Sequence, residues 1–413
     1  MILKPHYLVL LACAAIPVTL TAHNWPEFRG PTGQGHAEAT SLPTTFSQTE
    51  RVKWRTELPG EGWSSPVIFN NQIWMTTALD DGKSLRALCV DKNNGKLLHN
   101  IELFSVEAPE FKHTLNSYAS PTPVLEKGRA YFSFGNYGNA AIDTDTGKIA
   151  WKSQVLSLGH EVGPGSSPIL HNDFFILHCD GTNSQYIAAL HKKNGNLAWK
   201  TERSVSLENT PTSMRKAYSI PLVITVDGRQ EMLSPAAEHL YAYDPATGKE
   251  LWQVRYPGFS NVPRPLFAHG LVFVCTGFMK PELWAVKPGG NGDMTSDAVV
   301  WKYPKQTPSM SSPIIVGDYL FMVSDSGIVT CLDARNGKEQ FQERIGGDYS
   351  ASPIHANGKI YFFSQQGKIT VLKSNPTFEI LAQNDMPEGF MASPAVSGNS
   401  FYLRTKKALY RVE

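Results

Sequence analysis

One short signature, mostly small residues followed by proline, recurs eight times along the chain and constrains its architecture more than any other feature. The copies are WSSPV, YASPT, GSSPI, YSIPL, PRPLF, MSSPI, SASPI and MASPA, and their prolines are Pro66, Pro121, Pro168, Pro221, Pro265, Pro313, Pro353 and Pro394. A repeat every 40 to 55 residues, roughly, is typical of propellers and solenoids rather than of one irregular core. We therefore interpret the chain as a single domain built from eight repeats.

Composition and charge narrow the class further. Hydrophobic residues make up 41% of the chain and charged residues 18%, with 33 glycines and 28 prolines, which is typical of many short strands joined by tight turns. The formal net charge is only +1, and no run of Lys or Arg provides the electrostatic footprint that phosphate backbones require. The sequence therefore indicates an all-β protein without a nucleic-acid partner.

Each repeat contains four short strand patterns in the same order. After Pro168 these patterns are SPILHN, DFFILHC, YIAALHK and NLAWKTER, separated by turn residues. They predict a four-stranded antiparallel meander, one propeller blade, whose strands we label A to D from the central axis outwards. Proline suits the first residue of strand A, where its missing N–H breaks no ladder hydrogen bond.

A second motif marks the turn between strands C and D. It reads AIDTDTGKIAW up to Trp151 and AYDPATGKELW up to Trp252, with variants that end at Trp199 and Phe341. Asp caps the turn, Gly adopts a positive φ, and a large aromatic follows on strand D. A flat ring at that position can pack against the next blade.

This turn motif resembles the tryptophan-docking motif of the pyrroloquinoline-quinone (PQQ) repeat superfamily, which includes quinoprotein alcohol dehydrogenases and BamB-type outer-membrane assembly lipoproteins. The resemblance runs from about Asn24 to Glu413. The segments NWPEFRGP, GPGSSPIL and FSNVPRPLF are most similar to exported PQQ-binding-like β-propeller repeat proteins. The resemblance implies an eight-bladed β-propeller of four-stranded antiparallel blades; it does not imply that PQQ is bound.

Counting strands predicts how the ring closes. The eighth repeat stops at Glu413 before its outer strand, whereas the segment RVKWRTEL at 51–58 is an extra strand of the outer type, with Trp54 at the docking position. We expect this N-terminal strand to complete the last blade, which removes an open sheet edge. Residues 23–50, rich in Pro, Gly, Ser and Thr, are expected to form an irregular arm before the propeller at 51–413.

Residues 1–22 have the pattern of a cleaved export signal. Lys4 and His6 precede an apolar stretch that is short for a membrane span. The sequence therefore predicts a periplasmic or secreted protein, with lipidation at Cys13, and hence an outer-membrane lipoprotein, as the alternative. Cys89 and Cys331 stand two residues before a turn Asp, where we expect small buried side chains, and Cys179 and Cys275 fall in blades that are not neighbours, so we expect no disulfide. The sequence contains no CxxC pattern, which argues against a zinc ribbon or c-type haem.

The loops place a candidate site on one face of the ring. Loops from D to the next A and from B to C emerge on one face, here called the first face, and the A-to-B and C-to-D turns emerge on the opposite, second face. The first face carries the longer insertions at 104–117 and 204–217 and the mouth of the central channel. Its candidate ligand-binding residues are Trp63, His113, Asn116, Tyr118, His160, Glu161, Asp180, Asn183, Arg215, Tyr218, Asn261, Arg264 and Tyr349.

The chemistry of these candidates leaves several interpretations open. A wet channel mouth needs polar side chains whether or not a ligand binds there. Arg215, Lys216 and Arg264 favour an anionic ligand or an acidic loop of a partner. His113, His160 and Glu161 are metal-ligand types, but their spacing matches no ligand motif, and a tuned acid or base is a further reading.

Two functions compete on this basis. The first is an exported non-catalytic propeller, a BamB-like binding or scaffold protein that takes an envelope protein or a small anionic ligand at the channel mouth, with no cofactor. The alternative is a quinoprotein dehydrogenase that oxidises an alcohol or sugar with PQQ and calcium, Trp63 serving as the floor and Arg215 with Arg264 as the clamp. The chain has no adjacent cysteine pair, and its insertions are shorter than those that enclose the cofactor in dehydrogenases of this superfamily. Both features favour the first function, and we assign no catalytic residue. GxSxG and HExxH motifs, which would indicate a hydrolase, are absent from the sequence.

Overall fold

The structure, a computed structural model, describes residues 23–413 and consists of eight antiparallel sheets arranged as a propeller. The predicted export signal at 1–22 lies outside the described residues. Within residues 23–413, helix is limited to three short 3₁₀ turns, at Asp80–Gly82, Gly135–Tyr137 and Thr212–Met214. The prediction of an eight-bladed, all-β propeller is therefore confirmed.

The strands follow one another in chain order from the N-terminal strand β1 (Val52–Glu57). Blade one contains β2 (Val67–Phe69), β3 (Gln72–Leu79), β4 (Ser84–Asp91) and β5 (Leu97–Ser105), and blade two contains β6 (Val124–Glu126), β7 (Arg129–Ser133), β8 (Asn139–Asp143) and β9 (Ile149–Ser153). Blade three contains β10 (Ile169–His171), β11 (Phe174–Asp180), β12 (Gln185–His191) and β13 (Leu197–Glu202). Blade four contains β14 (Leu222–Val226), β15 (Arg229–Pro235), β16 (His239–Tyr243) and β17 (Glu250–Arg255).

The second half of the ring repeats this order. Blade five contains β18 (Leu266–Ala268), β19 (Leu271–Cys275), β20 (Leu283–Val286) and β22 (Val299–Tyr303), and its loop carries β21 (Gly292–Asp293), which pairs in parallel with β17 of blade four. Blade six contains β23 (Ile314–Val316), β24 (Tyr319–Val323), β25 (Ile328–Asp333) and β26 (Glu339–Arg344). Blade seven contains β27 (Ile354–Ala356), β28 (Lys359–Phe363), β29 (Lys368–Lys373) and β30 (Ile380–Asp385), and blade eight contains β31 (Ala395–Ser397), β32 (Ser400–Arg404) and β33 (Ala408–Val412).

The ring closes as the strand count predicts. Strand β1 pairs antiparallel with β33, and Trp54 lies opposite Arg411 in the register. The order in the last blade, from outside to axis, is therefore β1, β33, β32 and β31. The first strand of the fold thus completes the sheet that the end of the chain leaves unfinished.

Burial differs between the strands of a blade for a geometric reason. The B strands β24 and β28 are buried at four consecutive positions after the first residue, because each lies between two neighbouring blades and is covered on both faces. The outer strand β1 alternates half-buried and exposed residues, since one of its two sides reaches solvent. The cores of the propeller are consequently the layers between blades.

Docking of an aromatic ring on a glycine connects neighbouring blades. Trp151 of blade two donates its Nε1–H to the carbonyl of Lys192 at 2.8 Å in blade three. Gly195 has a φ of +73°, and a Cβ there would lie 2.5 Å from the indole of Trp151, so glycine is needed both for the turn and for the close approach. The same stacking pairs Trp54 with Gly95, Trp199 with Gly248, and Trp301 with Gly337.

Blade four departs from this docking scheme. Trp252 matches the motif, yet its Nε1–H donates to the carboxylate of Glu231 in its own blade at 2.8 Å. The reason is that blade five lacks the TGK-type turn and instead contributes Gly292, which pairs with Trp252 through β21. The docking surface is thus replaced by an added strand.

The proline signature builds a ring of hydroxyl groups around the axis. In five places the backbone N–H of the residue before one signature proline donates to the hydroxyl of the equivalent residue in the next blade. These bonds run from Ser65 to Thr122 and from Thr122 to Ser167 at 2.9 Å each, from Arg264 to Ser312 and from Ser312 to Ser352 at 3.0 Å each, and from Ser352 to Ser393 at 2.8 Å. In blade two the signature proline is therefore Pro123, which directly precedes β6, rather than Pro121.

The N-terminal arm closes the second-face end of the central channel. Trp25 pairs with Ile68 of blade one through two backbone hydrogen bonds, and the guanidinium of Arg29 donates to the carbonyl of Pro313 in blade six at 2.7 Å. Further along, Ala37 bonds to His355 of blade seven. The arm therefore crosses the axis before it joins β1, and the channel is open only on the first face. The course of the arm across the channel was not predicted from the sequence.

The four cysteines in the described part of the chain are buried free thiols. Burial raises the pKa of Cys179 and of Cys331 to about 12. A thiol held in its protonated form is a poor nucleophile and a poor metal ligand. These residues therefore serve as small apolar side chains, the role that the repeat positions of Cys89 and Cys331 predict.

Candidate functional site

A cavity of about 760 Å³ opens on the first face at the mouth of the channel. Its lining comes from D-to-A loops of every blade, together with B-to-C loop residues such as Phe278, Asp325 and Gln365. The base is formed by Phe28 of the arm and by residues of the hydroxyl ring. Because the arm blocks the channel below Phe28, this cavity is a well with a closed base.

A simple register rule decides which residues line the well. The residue three positions before each signature proline belongs to the wall in all eight blades; these residues are Trp63, Ser120, Gly165, Tyr218, Val262, Met310, Ser350 and Met391. The residue directly before the proline lies lower, at the base, in six blades. The segment before strand A is extended, so side chains two apart point to the same side.

Apolar side chains dominate the wall and rim of the well. Trp63, Tyr218 and Phe259 contribute aromatic surface to the wall. Met279 is 73% exposed and Phe278 is 54% exposed on the B-to-C loop of blade five. Phe111 is 70% exposed on the 104–117 insertion. Large apolar residues left this exposed around a concave opening are typical of a binding surface.

The positive charge in the well is paired with a carboxylate, whereas two negative charges are in no salt bridge among residues 23–413. Lys216 forms a salt bridge with Glu161, so its positive charge is compensated at the rim. Asp325 and Asp348 also line the well, and no salt bridge in residues 23–413 includes either of them. Asp325 accepts hydrogen bonds from the backbone and hydroxyl of Ser309, which fixes its position without neutralising it. The well is therefore net acidic.

Four of the thirteen candidate residues line the well. They are Trp63, His113, Asn116 and Tyr218. Asn116 donates to the carbonyl of Val162 at 2.8 Å, and Tyr218 donates to the carbonyl of His160 at 3.0 Å, so both also hold the rim loops together. His113 is exposed.

Several other candidates stabilise the loops around the well instead of lining it. Arg215 donates to the carbonyls of Thr210 and Glu208 in its own loop, at 2.7 and 2.9 Å. Asn261 donates to the hydroxyl of Tyr256 and the carbonyl of Cys275, and Tyr118 donates to the carbonyl of Glu110. Asn183 accepts from the backbone N–H of Gly159, and Tyr349 is fully buried. They face protein groups because they fall outside the register that points to the well.

Arg264 is placed on the other side of the base. It lies directly before Pro265, at the level of the hydroxyl ring, and its guanidinium donates to Glu27 at 3.2 Å and to the carbonyl of Phe28 at 3.0 Å. The arm therefore draws this side chain towards the second face. An anion clamp of Arg215 and Arg264 at the mouth, as the sequence suggested, is not formed.

His160 and Asp180 are buried below the rim. His160 accepts a hydrogen bond from the backbone N–H of Asn136 at 3.0 Å, and burial lowers its pKa to about 4. Asp180 is paired with Arg203 at 3.0 and 2.9 Å. Burial acts to raise the pKa of Asp180, but the charges of Arg203 and His178 hold it below the usual value.

Asp180 and His178 also meet Ser234, whose hydroxyl lies 3.0 Å from Nδ1 of His178. The three residue types are those of a hydrolytic triad, yet Ser234 is fully buried and His178 is only 3% exposed. The adjoining cavity has a volume of about 20 Å³, room for about one water molecule. This cluster joins blades three and four, and we assign it a structural role.

The metal interpretation of His113, His160 and Glu161 does not fit their positions. His113 is exposed, His160 is buried, and Glu161 pairs with Lys216. In the part of the chain that the structure describes, no group of three or more His, Cys, Asp or Glu side chains is arranged to hold a metal ion. These three residues are thus not brought together as ligands.

Sequence reasoning missed the acidic and sulfur-containing residues of the well. Asp325 lies in a B-to-C loop, whereas Met310 and Met391 occupy the third position before Pro313 and Pro394. The two methionines could have been found from the register of the signature alone. Asp325 is the second residue of an SxxG turn that recurs in the next blade, where Gln365 takes the same position and also lines the well.

Comparison with known proteins agrees with the propeller fold described above. The family model described as "Outer membrane protein assembly factor BamB" matches residues 44–157 and 183–413. Among solved structures, BamB from Moraxella catarrhalis has a TM-score of 0.58 at 13% identity and covers 88% of this chain and 99% of its own. Quinohemoprotein alcohol dehydrogenase from Comamonas testosteroni has a TM-score of 0.63 at 10% identity, and the match covers 94% of this chain and 80% of the dehydrogenase.

Comparison of sequences finds one further relative, a hydrolase. Tetrathionate hydrolase from Acidithiobacillus ferrooxidans is 20% identical over 358 residues, which covers 76% of this chain. The chain spans 65% of that protein's length. At these identities the solved structures show the fold alone, which BamB and an alcohol dehydrogenase share. The match to the family model covers most of the sequence, and the chain therefore belongs to the BamB family of PQQ-repeat β-propellers.

Proposed function

We propose that this chain is a non-catalytic binding propeller of the cell envelope, and that its well is the docking site for a segment of a partner protein. The observation that supports this best is the combination of a closed base at Phe28 with exposed apolar residues at the opening: Phe278 lines the well, and the exposed Met279 and Phe111 lie within two residues of lining residues in the chain. A closed well gives a substrate no passage through the ring. Its apolar rim offers surface that an inserted side chain would bury.

The charges of the well define the partner's chemistry. Asp325 and Asp348 favour hydrogen-bond donors or a cationic group, and aromatic walls such as Trp63 also attract cations. The cations that suggested a small anionic ligand are engaged elsewhere, Arg215 with its own loop and Arg264 with Glu27. We therefore favour an apolar polypeptide segment with donor-bearing side chains over a small anion at this mouth.

Family membership supports the envelope location and the binding role. The family's description names an outer-membrane assembly factor, and a factor of that kind acts by binding other proteins. Across residues 23–413 the structure contains no helix with the length and apolar character needed to cross a membrane. Export through a cleaved signal at 1–22, or anchoring through a lipid at Cys13, remains the sequence-based prediction for reaching that location.

The residues present do not fit PQQ with calcium. The three carboxylates of PQQ need cationic partners, and calcium takes six to eight oxygen ligands. In the well, Lys216 is compensated by Glu161, and the oxygens of Asp325 already accept from Ser309. Trp63 could supply a flat surface, but the clamp and the metal ligands that would accompany it are not assembled. This mismatch makes a dehydrogenase the weaker proposal.

Photo-crosslinking tests the docking site. We expect p-benzoylphenylalanine in place of Met279 to give one defined adduct in cell envelopes, and in place of Lys148 on the second face to give none. The purified partner, identified by mass spectrometry, should bind the purified propeller, and Met279→Asp should weaken that binding at least tenfold. Val300→Asp is the matched control, because Val300 is 52% exposed on the outer strand of the same blade.

Two results would count against the proposal. Equal adducts from positions 279 and 148 would show contact without a preferred face. A saturable change in quinone absorbance when purified protein is titrated with PQQ and calcium, accompanied by oxidation of an alcohol, would replace the binding role with the dehydrogenase.

A further inference from the structure

A second cavity, of about 340 Å³, lies on the second face between the arm and the inner strands of blades three and four. The arm contributes Glu27, Thr32 and Gln34 to its lining, and the propeller contributes β10, β14 and Arg264. The arm covers the axis but leaves this side open. The cavity is separated from the well by the base at Phe28 and is independent of the proposed docking site.

The guanidinium of Arg264 lines this cavity with unused hydrogen-bonding capacity. The residue is 3% exposed, and its Nη1 donates to Glu27 and to the carbonyl of Phe28. Its Nε–H, although buried, has no acceptor in the described structure. Gly33 packs directly against the guanidinium and leaves no space for a Cβ. The side chain is thus held in place by the arm.

Arg29 adds a second buried positive charge beside the first. It is 1% exposed, and only its Nη2 has an acceptor, the carbonyl of Pro313; its Nε and Nη1 have none among residues 23–413. Burial and the charge of Arg264 lower the pKa of Arg29 to about 9. Glu27 forms the single salt bridge to this pair in the described structure, so two guanidinium groups face one carboxylate.

Buried donors without acceptors and an excess buried charge are both unfavourable unless a ligand compensates them. An anion in the cavity would give Arg264 oxygen acceptors, since guanidinium groups bind carboxylate and phosphate oxygens strongly. Its charge would also offset that of Arg29, which does not itself line the cavity. We propose that the second-face cavity is an oxyanion-binding site, with Arg264 as its anchor and Glu27 as an internal carboxylate that competes with the ligand. The proposal concerns a small phosphate- or carboxylate-type anion.

Calorimetric titration of the purified chain with inorganic phosphate, at constant ionic strength, tests the site. We expect one saturable site in the native chain and binding at least tenfold weaker in Arg264→Gln. Glu27→Gln should tighten binding by roughly tenfold, because it removes the carboxylate that occupies Arg264. Arg344→Gln, at an exposed position of blade six, is the control and should leave binding unchanged. Acetate in place of phosphate distinguishes a carboxylate site from a phosphate site.

Non-specific binding of phosphate to the surface would not become tighter in Glu27→Gln. The response to this substitution therefore distinguishes the proposed site from surface binding. If Arg264→Gln fails to fold, as judged by circular dichroism, the Glu27→Gln titration decides alone. Absence of saturable binding for both anions, or affinities unchanged by both substitutions, would overturn the proposal. Neither result would bear on partner docking at the first face, since no residue of this cavity lines the well.

Discussion

At the scale of single residues, the indole–glycine pair is what joins one blade to the next. Trp151 is 7% exposed and packs against Tyr131 and Phe175 as well as on Gly195. The ring buries a large apolar area, and its Nε1–H satisfies a carbonyl of the neighbouring blade. One residue therefore contributes packing and a hydrogen bond across the joint.

We expect Trp151→Ala to destabilise the fold by about 3–5 kcal/mol, because the vacated volume leaves a cavity between blades two and three and an unpaired carbonyl. Thermal unfolding of the purified chain measures this loss. Val155→Ala, at a 59% exposed position just beyond the same strand, should change the midpoint little. Equal midpoints for the two variants would show that the docked ring does not hold the joint.

The register of single residues also explains the outcome for the candidate site. Trp63 and Tyr218 were found because they are large and stand near a signature proline, and both occupy the third position before it. Tyr349 and Arg264 are as close to a proline but sit in other registers, so one is buried and the other reaches the arm. The alternation of an extended segment, rather than proximity to a proline, decides which of these side chains line the well.

At the scale of elements, β1 and the arm have separate roles. Strand β1 pairs with β33 and removes the open edge of blade eight. The arm packs Trp25, Leu42 and Phe46 into the layer that blades one, seven and eight share. One element therefore closes the ring, and the other closes the channel.

Two truncations separate these roles. A chain that begins at residue 51 should unfold at a lower temperature, because it loses the packing of the arm, but should keep the association state of the parent. A chain that begins at residue 58 also leaves the edge of β33 unpaired, and we expect it to self-associate. Size-exclusion chromatography with light scattering measures the difference. The same association state for both truncated chains would contradict the role of β1 as the closing strand.

At the scale of the whole molecule, buried histidines make stability depend on pH. Burial lowers the pKa of His160 and of His36 to about 4, and lowers the pKa of His178 and His355 as well. A histidine whose folded pKa lies below its unfolded value of 6.5 is protonated more readily in the unfolded chain. Acidification therefore favours unfolding between pH 6.5 and pH 4.

For His160, which is 6% exposed, the shift corresponds to about 3 kcal/mol of stability that is present above pH 6.5 and lost as the pH falls towards 4. We expect His160→Gln to flatten the pH dependence of the free energy of unfolding by about that amount. Denaturant titrations at pH 8 and pH 4.5, on the native chain and the variant, measure the slope. Parallel slopes would exclude His160 as a contributor.

The sequence by itself determined the number of blades, the order of strands within each blade and the closure of the ring by β1. Those features are repeated, and eight copies of one local pattern strengthen a weak signal. Only the tertiary structure decided the course of the arm, the closed base of the well and the side of the base to which Arg264 points. Each of these depends on contacts between segments far apart in the chain, such as Arg29 with Pro313 and Glu27 with Arg264, and a contact made once leaves no period in the sequence.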